Sequence, residues 1–99
     1  MTNHLPSPPV FDPRGTVTTA AVSLAPRVRS LDTLRIGIFD NSKWNASKLL
    51  RAVMSRVERD ASGTTFTRYT KESFSRLAPD DLLDRVAAEN DVVISAIGD

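Results

Sequence analysis

Two short, dense apolar runs, each followed at once by polar residues, set what this chain can build. Leu34-Arg35-Ile36-Gly37-Ile38-Phe39 leads into Asp40-Asn41-Ser42-Lys43, and Val92-Val93-Ile94-Ser95-Ala96-Ile97 leads into Gly98-Asp99. Runs this short and this rich in branched side chains are strands. Where they lack strict alternation they are strands buried on both faces, as in parallel sheets. Parallel neighbours need a crossover between them, and the intervening sequence supplies two helical patterns.

The first helix is predicted from about Ala46 to Arg59, where Leu49, Leu50, Val53, Met54 and Val57 form one apolar stripe at helical spacing. Asn45 can cap its first turn through its side-chain oxygen, with Ser42 as the rival cap, and Ser62-Gly63 ends it. The second helix opens with Pro79 in its first turn, followed by Asp80 and Asp81, whose charges suit the positive helix end. Leu82, Leu83, Val86 and Ala87 make its buried stripe, and Asn90 closes it. Between the helices, Thr64 to Tyr69 is β-rich but polar at alternate positions, which suits an edge strand.

The order strand–helix–strand–helix–strand predicts an α/β fold: an incomplete parallel three-stranded sheet in the order 2-1-3 with two helices, a flavodoxin-like or Rossmann-like half domain. This domain covers residues 34–99. Residues 1–10, proline-rich and aperiodic, read as a flexible tail. Residues 11–33 read as an extended arm that packs on the domain, opened by the turn signal Asp12-Pro13-Arg14-Gly15 and containing the strand-like Val22-Ser23-Leu24-Ala25. The third strand has the composition of an interior strand, yet the sequence offers no element for its far side. An uncovered apolar edge is an aggregation hazard. The expectation is that the remainder of its own domain, or a partner chain, pairs along this last strand.

The totals narrow the function classes. The 13 Lys and Arg nearly cancel the 12 Asp and Glu, leaving a formal charge of +1, and the arginines are scattered. That balance argues against a nucleic-acid-binding or polybasic membrane protein. There is no cysteine, so thiolate chemistry, disulfides and cysteine metal sites are excluded within these 99 residues. The start has no basic segment followed by an apolar h-region, and no apolar stretch approaches the roughly 20 residues of a transmembrane helix. The expected location is the cytoplasm. His4 is the single histidine and has no ligand partners at metal spacing, so it reads as an idle tail residue.

In open α/β sheets, ligands bind outside the carboxyl ends of the strands. Two segments meet there: the loop Asp40-Asn41-Ser42-Lys43-Trp44-Asn45, which follows the first strand and opens the first helix, and Gly98-Asp99 at the end of the third strand. Free N–H groups at the helix start together with Lys43 can hold an anion such as phosphate or carboxylate; equally, the loop can be a polar connection with a capping Asn. The candidate binding residues are Asn41, Ser42, Lys43, Asn45, Gly98 and Asp99, and the ligand class is an anionic small molecule. No Gly-x-Gly-x-x-Gly or Walker pattern is present. Asp40 and Asp99, as strand-end carboxylates, have the ligand type for Mg²⁺, but no further strands and no later lysine support a phosphate-receiving domain. No metal and no cofactor are expected. Trp44 either stacks on a ligand or, by ordinary burial behaviour, closes an edge of the core. Gly37 inside a strand signals close backbone approach, for which a packing reason suffices.

An ordered set of segments carries a family resemblance: Leu24-Ala25-Pro26-Arg27, Ser30-Leu31-Asp32, Arg35-Ile36-Gly37-Ile38-Phe39-Asp40-Asn41-Ser42-Lys43 with Asn45-Ala46, Ala78-Pro79-Asp80-Asp81-Leu82-Leu83, and Asp91-Val92-Val93 to Ile97-Gly98-Asp99. Together, from about Phe11 to Asp99, they resemble the N-terminal half of the UGSC-type proteins. Ser42 and Trp44 depart from the smaller or proline residues of that loop. The family is named for a Sec-Gly-Ser-Cys or Cys-Gly-Ser-Cys motif and is similar to glycine-reductase-type selenoproteins. The resemblance implies a thiol/selenol redox protein, often called thioredoxin-like, whose redox motif follows the Gly-Asp. On that reading selenocysteine belongs only to the complete protein, and no catalytic residue lies within these 99. Selenocysteine is encoded by UGA, so a frame closed at UGA gives a chain truncated just before its redox motif and inactive as it stands. The alternative is a small non-catalytic subunit or binding module that pairs with a partner chain or binds an anionic small molecule.

Overall fold

The structure, a computed structural model, describes residues 8–98. His4 and Asp99 lie outside the described residues, as does most of the expected tail. The elements run β1 (Arg35–Asp40), α1 (Ala46–Asp60), β2 (Thr65–Thr70), α2 (Asp80–Glu89) and β3 (Val92–Ala96). All pairings are parallel and the sheet order is β2-β1-β3, the expected α/β arrangement. Gly37 stands between Thr67 and Val93 in register.

This order fixes where the helices go. The chain moves one way from β1 to β2 and back across β1 to β3, so two right-handed crossovers lie on opposite faces of the sheet. The period of two in β1 divides its side chains accordingly. Ile36 and Ile38 pack with Leu50 of α1, supported by Met54, Val57, Phe66 and Ile94. Phe39 packs on the other face with Tyr69 and Val86, supported by Ala78 and Leu82. Burial of each large aliphatic side chain contributes about 1.5–3 kcal/mol, and every residue of β1 after Arg35 is buried. The central strand therefore anchors both layers.

Gly37 faces the α2 layer, where the side chain of Asn90 leaves no room for another. A Cβ at Gly37 would lie 2.9 Å from both Cγ and Nδ2 of Asn90. Asn90, which closes α2 as expected, donates through Nδ2 to the Tyr69 hydroxyl and to the Val86 carbonyl, each at 2.9 Å. Tyr69 in turn donates to Glu89 at 3.0 Å. This polar cluster ties the end of α2 to β2.

Several details differ from the sequence expectation. In the α1 stripe, Leu50 is buried and Val53, Met54 and Val57 are half-buried, but Leu49 is exposed because no described element covers that flank. In α2, Val86 is buried and Leu82 half-buried, whereas Leu83 and Ala87 face outward. Pro79 occupies the cap position before Asp80 rather than the first turn. Trp44 is 85 % exposed and closes no edge of the core. Residues 8–33 contain no helix or strand, and Phe11, Val17, Val22 and Leu24 are exposed. Ala25 to Val28 border Asp91, Val92 and Val93 around a cavity of about 420 Å³, and the Thr33 N–H donates to the Ser62 carbonyl at 2.9 Å. Among the described residues β3 pairs only with β1, and Val93 is exposed at that edge.

Candidate functional site

Parallel strands deliver their following loops to one edge of the sheet. Here that edge gathers the loop after β1, the loop after β2 and the residues after β3. Backbone hydrogen bonds join them at the tip of β1: the Asn41 N–H donates to the Ala96 carbonyl at 3.0 Å, and the Lys71 N–H donates to the Asp40 carbonyl at 2.9 Å.

The β1–α1 loop is organised by two consecutive side chains. Asp40, buried, accepts the Ser42 N–H on Oδ1 at 2.7 Å. Asn41 accepts the Lys43 N–H on Oδ1 at 3.2 Å. The same Oδ1 accepts the Ile97 N–H at 2.8 Å, while Nδ2 donates to the Ile97 carbonyl. Asn41 thus acts as a surrogate peptide that extends the β1–β3 ladder by one residue. Asn and Asp favour such turns because their short polar side chains reach nearby backbone groups.

Asn45 precedes α1 but makes no side-chain cap bond, contrary to expectation. The reason is its backbone: φ is 67°, in the left-handed region, whereas a side-chain cap needs an extended residue. Ser42 does not cap either. Its φ is 65° and its hydroxyl donates to the Asn41 carbonyl at 2.6 Å. The Ala46 N–H instead donates to the Lys43 carbonyl at 3.0 Å.

Of the predicted binding residues, Asn41 and Lys43 are half-buried, while Ser42, Asn45 and Gly98 are exposed. The structure brings Asn41, Ser42 and Lys43 together with Ile97; Gly98 follows directly, and Asp99 lies outside the described residues. Lys43 reaches across to the β2–α2 loop, with Nζ 5.9 Å from the centre of the Phe74 ring, within cation–π range. Among the described residues no group of three or more His, Cys, Asp or Glu side chains is arranged for a metal.

Sequence reasoning missed the β2–α2 loop. It borders a cavity of about 320 Å³ walled in part by Thr70, Lys71, Ser73, Arg76, Leu77 and Leu82. The signal was available: Thr70-Lys71-Glu72-Ser73 follows β2 just as Asp40-Asn41-Ser42-Lys43 follows β1, and in a parallel sheet both end at the same edge.

A comparison with protein-family models finds the UGSC family, matched over residues 9–99. The chain belongs to the UGSC family. The match takes in the arm from its start, both helices and all three strands. No curated protein and no solved structure matches the chain. No helix among the described residues of this UGSC-family chain is long and apolar enough to cross a membrane.

Proposed function

We propose that this chain is the N-terminal portion of a UGSC-type thiol/selenol redox domain. Its nucleophile is contributed by residues outside these 99, in a motif that follows Gly98-Asp99. The observation that carries the proposal is the UGSC match across residues 9–99, joined to the placement of Ile97 by Asn41 at the carboxyl edge of the sheet. The matched segment contains no cysteine, so it supplies the scaffold and not the reacting atom.

A selenolate or thiolate placed after this strand lies on the side of the sheet edge where α1 begins. Helix N-termini stabilise such anions, because their N–H groups and dipole favour negative charge, and this raises the reactive fraction. The anion attacks a substrate disulfide and releases one thiol, and a cysteine a few residues later attacks the mixed disulfide or selenenyl sulfide so formed, releasing the second thiol and leaving the motif oxidised. Chemistry of this kind requires thiols kept reduced, which suits the cytoplasm. The free edge of β3 is then the surface on which the remainder of the domain pairs.

The deciding test is the nucleotide sequence after the Asp99 codon. The reading expects UGA, or a cysteine codon, followed in frame by Gly-Ser-Cys; UAA, UAG or an unrelated continuation overturns it. A second test expresses the chain with that motif restored as Cys-Gly-Ser-Cys and assays thiol–disulfide exchange against the 99-residue chain. Activity is expected only in the extended form.

A further inference from the structure

We infer that the cavity beside the β2–α2 loop binds a small carboxylate that carries a short apolar body. Its volume, about 320 Å³, is at the lower end of the range for small-molecule sites. The wall joins two cationic side chains, Lys71 and Arg76, to the hydroxyl-bearing Thr70 and Ser73 and to apolar surface from Leu77 and Leu82. Ion pairs elsewhere engage Arg14, Arg35, Arg56 and Arg85, and none among the described residues engages Lys71 or Arg76.

The loop is braced internally. The Ser73 and Ser75 hydroxyls share a hydrogen bond at 2.8 Å, Ser73 Oγ accepts the Ser75 N–H at 3.2 Å, and the Arg76 N–H donates to the Ser73 carbonyl at 3.4 Å. At its start the loop is held to the central strand through the Lys71 N–H and the Asp40 carbonyl. The backbone of the loop is therefore held before a ligand arrives, which lowers part of the ordering cost of binding. Its place beyond the carboxyl end of β2 is where open α/β sheets take their ligands.

The charge count selects the ligand class. Two cations face one carboxylate, Glu72, on the same wall, so the site suits a single negative charge better than a dianion. Arginine holds a carboxylate through paired N–H donors. Leu77 is 96 % exposed, and an apolar body seated beside it removes that surface from water. The inference does not rest on the redox reading, because every group it uses lies in this chain.

The test titrates the isotope-labelled 99-residue chain with hexanoate, followed by amide chemical shifts, with inorganic phosphate and n-hexylamine as comparators. Saturable shifts confined to residues 70–82 are expected with hexanoate. Phosphate should bind at least about fivefold more weakly, and hexylamine should give no saturable response. Arg76→Gln and Lys71→Gln should each weaken hexanoate about fivefold or more while the remaining spectrum stays dispersed as in the parent. Leu77→Ser should weaken hexanoate and leave phosphate unchanged. Shifts that do not saturate, an equal response to hexylamine, tighter binding of phosphate, or hexanoate affinity unchanged in both charge variants overturns the proposal.

Discussion

The side-chain amide of Asn41 grips the peptide of Ile97 from both sides, accepting its N–H at 2.8 Å and donating to its carbonyl. The residues are 56 positions apart in sequence, so this contact joins the ends of β1 and β3 where no strand pairing remains. Asn41→Ala removes both partners of the Ile97 peptide and the acceptor for the Lys43 N–H. A cost of about 1–3 kcal/mol is expected, read as a lower midpoint in urea and as faster amide exchange at Ile97 and Lys43. Asn41→Asp keeps the acceptor and loses the donor, so protection at the Ile97 N–H should survive it.

Gly37 and Asn90 make a steric pair inside the sheet–helix layer. A methyl group at Gly37 meets the Asn90 amide at 2.9 Å, and Asn90 is held in place by Tyr69 and Val86. Gly37→Ala is expected to destabilise the fold by about 1–3 kcal/mol through overpacking. Asn90→Ala vacates the space, so Gly37→Ala should cost less in that background. Thermal melts of the two single variants and the double variant measure this coupling; a cost unchanged by Asn90→Ala would place the strain elsewhere.

The architecture was legible in the sequence because its signals are local and redundant. The branched runs of β1 and β3, the helical spacing of Leu50, Met54 and Val57, and the polar alternation of β2 each specify one element, and together they allow the order 2-1-3. The site was legible only in outline. Asn41 and Lys43 were marked by position, but no local rule says that Asn41 spends its amide on a peptide 56 residues away. Asn45 looked like a cap because capping preference is read from residue type, whereas its left-handed backbone removes that role. The β2–α2 cavity is lined by side chains with no motif, and it emerges only once the parallel sheet brings its loop to the same edge as Asp40.

Trp44 gives the sharpest contrast between composition and placement. The chain's single tryptophan is 85 % exposed, so it contributes little to the core. Trp44→Ala is expected to change stability by no more than about 0.5 kcal/mol, as for other surface sites without special contacts. Its fluorescence should be quenched freely by iodide in the folded chain. A stability loss of several-fold this size, or a shielded indole, would show that Trp44 is covered by something beyond residues 8–98.

At the opposite end of the strands, Arg35 and Asp91 form a clamp that makes folding sensitive to acid. The Arg35 guanidinium donates to Asp91 Oδ1 at 3.0 Å, and the Arg35 backbone N–H donates to Oδ2 at 2.9 Å. The guanidinium hydrogen bond, followed by the backbone one, holds the Asp91 carboxyl below its ordinary value. The unfolded chain therefore binds the proton first as pH falls. The stabilisation is fully present above the ordinary carboxylate value of about 4 and is lost as pH drops through the lowered folded value. Asp91→Asn should lower the melting temperature at neutral pH, and the gap between variant and parent should close as the pH is taken well below about 4. Both side chains are largely exposed, so added salt should shrink the neutral-pH gap as well. Melting curves across pH at low and high salt decide the matter: a gap that is constant with pH would assign the effect to packing instead of charge.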